Sequence, residues 1–155
     1  AVLKKANQGP PSDAERRAPL YVPPVDPADA MLPPHPECRD VDPTIAGDAP
    51  ATLSSIRNTI FTPSCSFSAC HGEAAAGGLD LGSPDLHATL LGNTSLASEL
   101  PLVTPGDPDS SWLYHLLSRC DPDGAAHMPR NAPFLLDPAL VNKVRAWIAA
   151  GARDD

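Results

Sequence analysis

Aromatic residues are scarce: two Trp, two Tyr and three Phe make up 5% of a 155-residue chain. Any core must be built from aliphatic side chains, with few rings to fill it. Charge is sparse as well, at 19%, and basic residues are outnumbered 11 to 19, for a net charge of −8. That balance argues against nucleic acid, whose phosphates demand a basic face. There is no run of about 18 apolar residues, so no transmembrane segment is expected. No stretch alternates apolar and polar residues well enough to read as a strand. The glycine-rich stretch lacks the lysine of a phosphate loop, and Ser110-Ser111 near His115 lacks a nucleophile elbow. The chain opens at Ala1 with no signal-peptide pattern, as expected of a mature exported product.

Proline, by contrast, is abundant and unevenly spread. Eleven of the 20 prolines fall within residues 1–50. Each removes a backbone donor and fixes φ, so this stretch is expected to be an extended or polyproline-like arm without a core of its own. Its first twenty residues carry +2 and the remainder of the chain −10. Such an arm is suited to lie on its own domain, on a neighbouring copy or on a larger redox assembly, and an acidic body steers towards a basic partner.

Residues 51–155 read as a mostly α domain with long functional loops. Leu53, Ile56 and Ile60 recur at helical spacing, with Pro63 marking a stop. Ser83-Pro84-Asp85 signals a second start, leading into Leu86, Leu90 and Leu91 and ending at Gly92. Asp107-Pro108-Asp109 opens a third, carrying Trp112, Leu113, Leu116 and Leu117. The fourth is the clearest: Asp137 caps, Pro138 opens, Leu140, Val141, Val144, Trp147 and Ile148 share a face, and Gly151 closes.

The chemistry lies in Cys65-Ser-Phe-Ser-Ala-Cys70-His71-Gly72. Two cysteines followed at once by a histidine suit covalent haem attachment, each thiol adding to one vinyl group while the histidine reaches the iron. The usual spacing between the cysteines is two residues; here it is four, which requires the spacer to bulge away. A local disulfide with an exposed His71 is an alternative. A zinc site is another, although no second ligand pair stands at zinc-finger spacing. Cys38 and Cys120 are separate from this motif, and in an oxidising compartment a bridge between them would tether the arm. The sixth iron position has Met128 as its candidate, within His127-Met128-Pro129-Arg130, with His127 next and Met31 in the arm weaker. A flat macrocycle would also help to fill a core so poor in rings.

From about residue 52 to 152 the chain resembles the cytochrome c domains of the planctomycete and myxobacterial type. The resemblance rests on five segments in order: Cys65 to Gly72, Gly77-Gly78-Leu79-Asp80-Leu81, the stretch from Val103 to Ser111, Met128-Pro129, and the stretch from Val144 to Ala152. It implies a small class I-like helical domain around one covalent haem c on Cys65 and Cys70, with His71 and Met128 as axial ligands. It also implies first and last helices that cross beside the haem. The four-residue spacer departs from the family pattern, and the arm has no counterpart in it.

The expected function is electron transfer rather than enzymatic catalysis. It would take place in the periplasm or another extracytoplasmic space, in a subunit docked to a redox partner or membrane-associated complex through residues 1–50. Leu79, Leu81, Leu86, Leu90, Leu113, Leu116 and Trp147 are the expected pocket, Ala74 to Gly78 the exposed edge, and Arg130 a partner for a propionate. Two other classes stay open: an interaction subunit in which haem is secondary, and a peroxidase-type enzyme, which needs an open sixth position.

Overall fold

The computed structural model describes residues 37–155, apart from Leu96 and Asn131. The arm as far as residue 36, including Met31, lies outside the described residues. A compact unit runs from Pro36 to Asp155. It is mostly α; among the described residues the only β pairing is a single bridge between Thr94 and Pro101. No described helix is long and apolar enough to cross a membrane.

The first helix, α1, spans residues 53–64 and begins where Thr52 turns extended and its hydroxyl accepts from the Ser55 N–H. A second cap comes from the far end of the chain. Asp155 accepts from the Leu53 N–H at 2.6 Å and from the Ser54 hydroxyl at 2.7 Å. The Ser54 bond, with help from Thr52 and the two backbone donors, holds the Asp155 carboxyl below its ordinary value of 3.8. A lowered carboxyl stabilises the fold above its unfolded pKa, and that contribution disappears as the pH falls through the folded value. Asp155→Asn should therefore flatten the decline in stability below about pH 4, as read from urea midpoints across an acid series.

α1 ends at Ser64, just after Pro63 and just before Cys65, where the spacing predicts the stop, but its middle is not regular α-helix. The middle of the helix, Arg57–Phe61, widens into a π turn, with the Thr62 N–H bonded to the Arg57 carbonyl. A proline ring excludes the carbonyl four residues back, and a shift to five-residue spacing lets the helix pass it. The helix then continues through Thr62–Ser64 to Cys65. The wider turn also brings Phe61 into the core beside Ile60, both 1% exposed. Four-residue periodicity had marked only Ile60.

The second helix, α2, covers Leu86–Gly92 and starts two residues after Pro84; the Ser83 hydroxyl accepts from the Asp85 N–H before it. The expected third helix is broken in two. Asp107 caps a 3₁₀ turn over Pro108–Ser110, then Ser111 turns extended before α3, Trp112–Ser118. Ser111 is fully buried, its hydroxyl accepting from the Thr104 N–H and donating to the Asp107 carbonyl, so this serine is structural. The fourth helix, α4, runs Pro138–Ala149 with Asp137 capping the Ala139 N–H and Gly151 at φ +101° after its end.

α4 contacts both α1 and α3, and its face of Val141, Val144, Trp147 and Ile148 is buried. Each such side chain contributes about 1.5–3 kcal/mol relative to exposure. Two polar residues on α4 are also buried. Lys143 donates to the Ser55 hydroxyl on α1, and Asn142 donates to the carbonyls of Asp42 and Ile45. Gly47 lies so close that a Cβ there would stand 2.6 Å from the Asn142 and Lys143 backbone. Of residues 37–50, assigned to the arm by the prolines, Asp42, Ile45, Gly47 and Asp48 thus meet α4, within the compact unit that starts at Pro36. Cys38 is disulfide-bonded to Cys120, beside a Val41 N–H to Ser118 carbonyl bond of 2.8 Å.

Candidate functional site

Cys65 ends α1, and the chain after it closes on itself. The N–H groups of Cys65 and Ser66 both bond to the Phe61 carbonyl, at 2.9 and 2.8 Å. The spacer then turns, with Cys70 and Gly72 both donating to the Phe67 carbonyl, and His71 returns to the Cys65 carbonyl at 3.1 Å. The spacer therefore bulges as a closed loop, with Phe67 57% exposed at its tip. Gly72 is the close-packed point. A Cβ there would stand 2.7 Å from the Ser66 carbonyl oxygen. Because the obstacle is backbone, Gly72→Ala should cost about 1–3 kcal/mol and lower the thermal midpoint accordingly.

The two cysteines are not disulfide-bonded to each other and lie in unlike surroundings. Cys65 is 9% exposed and belongs to the apolar core, its Sγ 3.7 Å from the Ile60 carbonyl oxygen. Burial, and secondarily the neighbouring Cys70, pushes its thiol up to about 11. Cys70 is half-buried.

His71 is half-buried, and its Nδ1 lies 3.2 Å from the Leu79 carbonyl oxygen. With Nδ1–H donating there, the lone pair resides on Nε2, the nitrogen left for a metal. The carbonyl reaches this position through the turn Ala76–Gly78, where Gly77 and Gly78 take φ of +66° and +76°, a conformation glycine adopts without strain. The Leu81 N–H closes the loop on the His71 carbonyl at 2.8 Å.

Met128 stands on a separate loop after α3. Its N–H donates to the Leu116 carbonyl at 2.8 Å, and its half-buried side chain packs against the core. Two buried polar atoms without partners flank the predicted ligands: Ser66 Oγ beside Cys65, and His127 Nδ1 beside Met128. Two thiols and an imidazole whose Nδ1 is already engaged share one loop, and a thioether stands on another; these are the donor types that haem c takes.

Other sequence-predicted residues are distributed differently. Leu81, Leu86, Leu90, Leu113 and Trp147 are buried in the core, while Leu79 and Leu116 are half-buried against it. Arg130 is exposed. His115 is a core residue, 6% exposed, with Nε2 bonded to the Asp109 carbonyl. His87 is half-buried, its Nε2 2.7 Å from the Ala152 carbonyl oxygen. A cavity of about 200 Å³ lies between the starts of α1 and α2 and the chain's C-terminal residues, lined by Leu53, Arg57, Leu86, His87 and Asp154. None of Cys65, Cys70, His71 or Met128 borders it. Among the described residues no three His, Cys, Asp or Glu side chains gather as a metal cluster.

The Leu79 carbonyl was not marked in the sequence, since a backbone acceptor has no side-chain signature; the Gly77-Gly78 pair was its one signal. No family model, no curated protein and no solved structure matches this chain.

Proposed function

We propose that this chain is a monohaem c-type electron carrier of the cytochrome c-like kind. Cys65 and Cys70 would hold the porphyrin through thioethers, with His71 Nε2 and Met128 Sδ as axial ligands. The observation that carries the reading is His71, its Nδ1 committed to the Leu79 carbonyl within the same closed loop that holds Cys65 and Cys70, neither in a disulfide. When bound, the group supplies a one-electron change of oxidation state at iron.

The chain's own tasks are simpler. The Leu79 carbonyl fixes the imidazole tautomer, and the bond between Met128 N–H and the Leu116 carbonyl fixes the thioether loop to α3. Leu79 and Leu116 offer apolar surface that excludes water. Met128 would supply a thioether to the metal and so would keep peroxide and oxygen from it, which favours electron transfer over peroxidase chemistry. The disulfide suits an extracytoplasmic setting. The acidic surface suits a basic redox partner, with the proline-rich residues before the compact unit as the docking segment.

A redox titration followed by absorption tests the function. A single reversible one-electron transition, together with slow reaction towards peroxide, is expected. Rapid peroxide turnover would mean an open iron and a peroxidase-type protein instead.

A further inference from the structure

We propose that Cys70 is the thiol that takes the first thioether and suffices to keep a haem on this chain, with Cys65 adding second; this inference rests on the haem reading above. The asymmetry is one of position. Cys65 sits in the apolar core, 9% exposed, with its Sγ turned to the Ile60 carbonyl and its own N–H held by the last turn of α1. For that sulfur to meet a vinyl group, its side chain must leave the core and its contact with α1. Cys70 needs no such movement. It is half-buried, outside the core cluster, and its backbone is clamped on both sides. The Cys70 N–H bonds to the Phe67 carbonyl at 2.9 Å, and its carbonyl accepts from the Ala76 N–H at 2.8 Å. It is also adjacent in sequence to His71, whose ring is already oriented by the Leu79 carbonyl. An axial ligand and a reachable thiol thus share one rigid turn, which lowers the entropic cost of bringing sulfur to vinyl.

The chemistry balances without an oxidant. The thiol S–H adds across a vinyl C=C. Sulfur bonds to the carbon next to the ring, the thiol hydrogen ends on the outer carbon, and the double bond is consumed. Each addition is complete in itself, so a chain held by one thioether is a stable product that keeps one vinyl group.

Cys65→Ala and Cys70→Ala, made in the full chain and expressed in a host that attaches haem c, test the order. Intact mass under denaturing conditions reads covalent haem. Cys65→Ala is expected to retain most of the wild-type haem, with its alkaline pyridine band shifted to longer wavelength by the surviving vinyl. Cys70→Ala is expected to lose covalent haem. Haem retained by Cys70→Ala and lost from Cys65→Ala, or lost equally from both, overturns the proposal. Should either variant fail to fold, a brief iodoacetamide pulse on haem-free wild-type protein decides the point. Cys70 should be modified about tenfold faster than Cys65, and equal rates or the reverse order overturn the proposal. Wild-type protein without haem would overturn the haem reading itself, a different result from a reversed order between two haem-bearing variants.

Discussion

Replacing Cys38 and Cys120 together by serine is expected to remove about 4 kcal/mol of stability. The bridge closes a loop between residues 82 apart. In the chain-entropy account the stabilisation acts on the unfolded ensemble and grows with loop length. The folded state should survive the change. The seam beside the bridge has its own bonds, from the Val41 N–H to the Ser118 carbonyl and from the Cys120 N–H to the Asp40 carboxylate, both 2.8 Å. Asn142 holds the next stretch through the carbonyls of Asp42 and Ile45. Urea unfolding of the two proteins should show a large drop in midpoint with an unaltered far-ultraviolet spectrum. A loss below about 1 kcal/mol would mean that the bridge constrains little. Loss of helical signal would mean that it organises the native state as well.

Met128→Ala should lower the reduction potential by on the order of 100 mV, within the roughly 0.8 V that axial ligands span. As a ligand, the Met128 thioether would favour the ferrous state, and its removal would leave the iron open to water or to exogenous ligands. Cyanide and imidazole should then bind more readily than they bind the wild type. The effect on folding is expected to be smaller, because Met128 is half-buried and its backbone bond to Leu116 does not depend on the side chain. His127 makes the substitution informative. Its Nδ1 is buried without a partner one residue away, so the imidazole is the nearest replacement in sequence. A low-spin spectrum in Met128→Ala that disappears in the double variant with His127→Ala would identify that replacement. A potential and spectrum unchanged by Met128→Ala would remove Met128 from the iron.

Helices that depend on a cap and an apolar face were legible in the sequence. Asp137, Pro138 and the Val141/Val144/Trp147/Ile148 stripe determine α4 almost alone, and Leu53, Ile56 and Ile60 mark the buried side of α1. The departures arise where a polar or imino residue has two ways of satisfying the backbone. α1 ends just after Pro63 as the spacing predicts but passes through a π turn before it, and Ser111 turns inward to Thr104 and Asp107 instead of continuing a helix. Residues 42–47 looked like arm because proline content hides packing. Their attachment to α4 relies on Asn142 and on the missing side chain of Gly47, neither of which is apolar. At the site, Cys65, Cys70 and His71 were visible as a motif. The unlike burial of the two thiols and the Leu79 carbonyl behind His71 emerge only when the loop is closed in three dimensions.

Everything at this site turns on whether Cys65, Cys70 and His71 serve a covalent haem. Absorption spectra of the purified oxidised and reduced protein, followed by denaturation in alkaline pyridine, test it most directly. The account predicts a haemochrome of the c type that remains with the unfolded polypeptide, and a weak far-red band in the oxidised protein from the bond between methionine and iron. A polypeptide that is colourless after purification from a haem-attaching host, with both Cys65 and Cys70 recovered as free thiols, would contradict it.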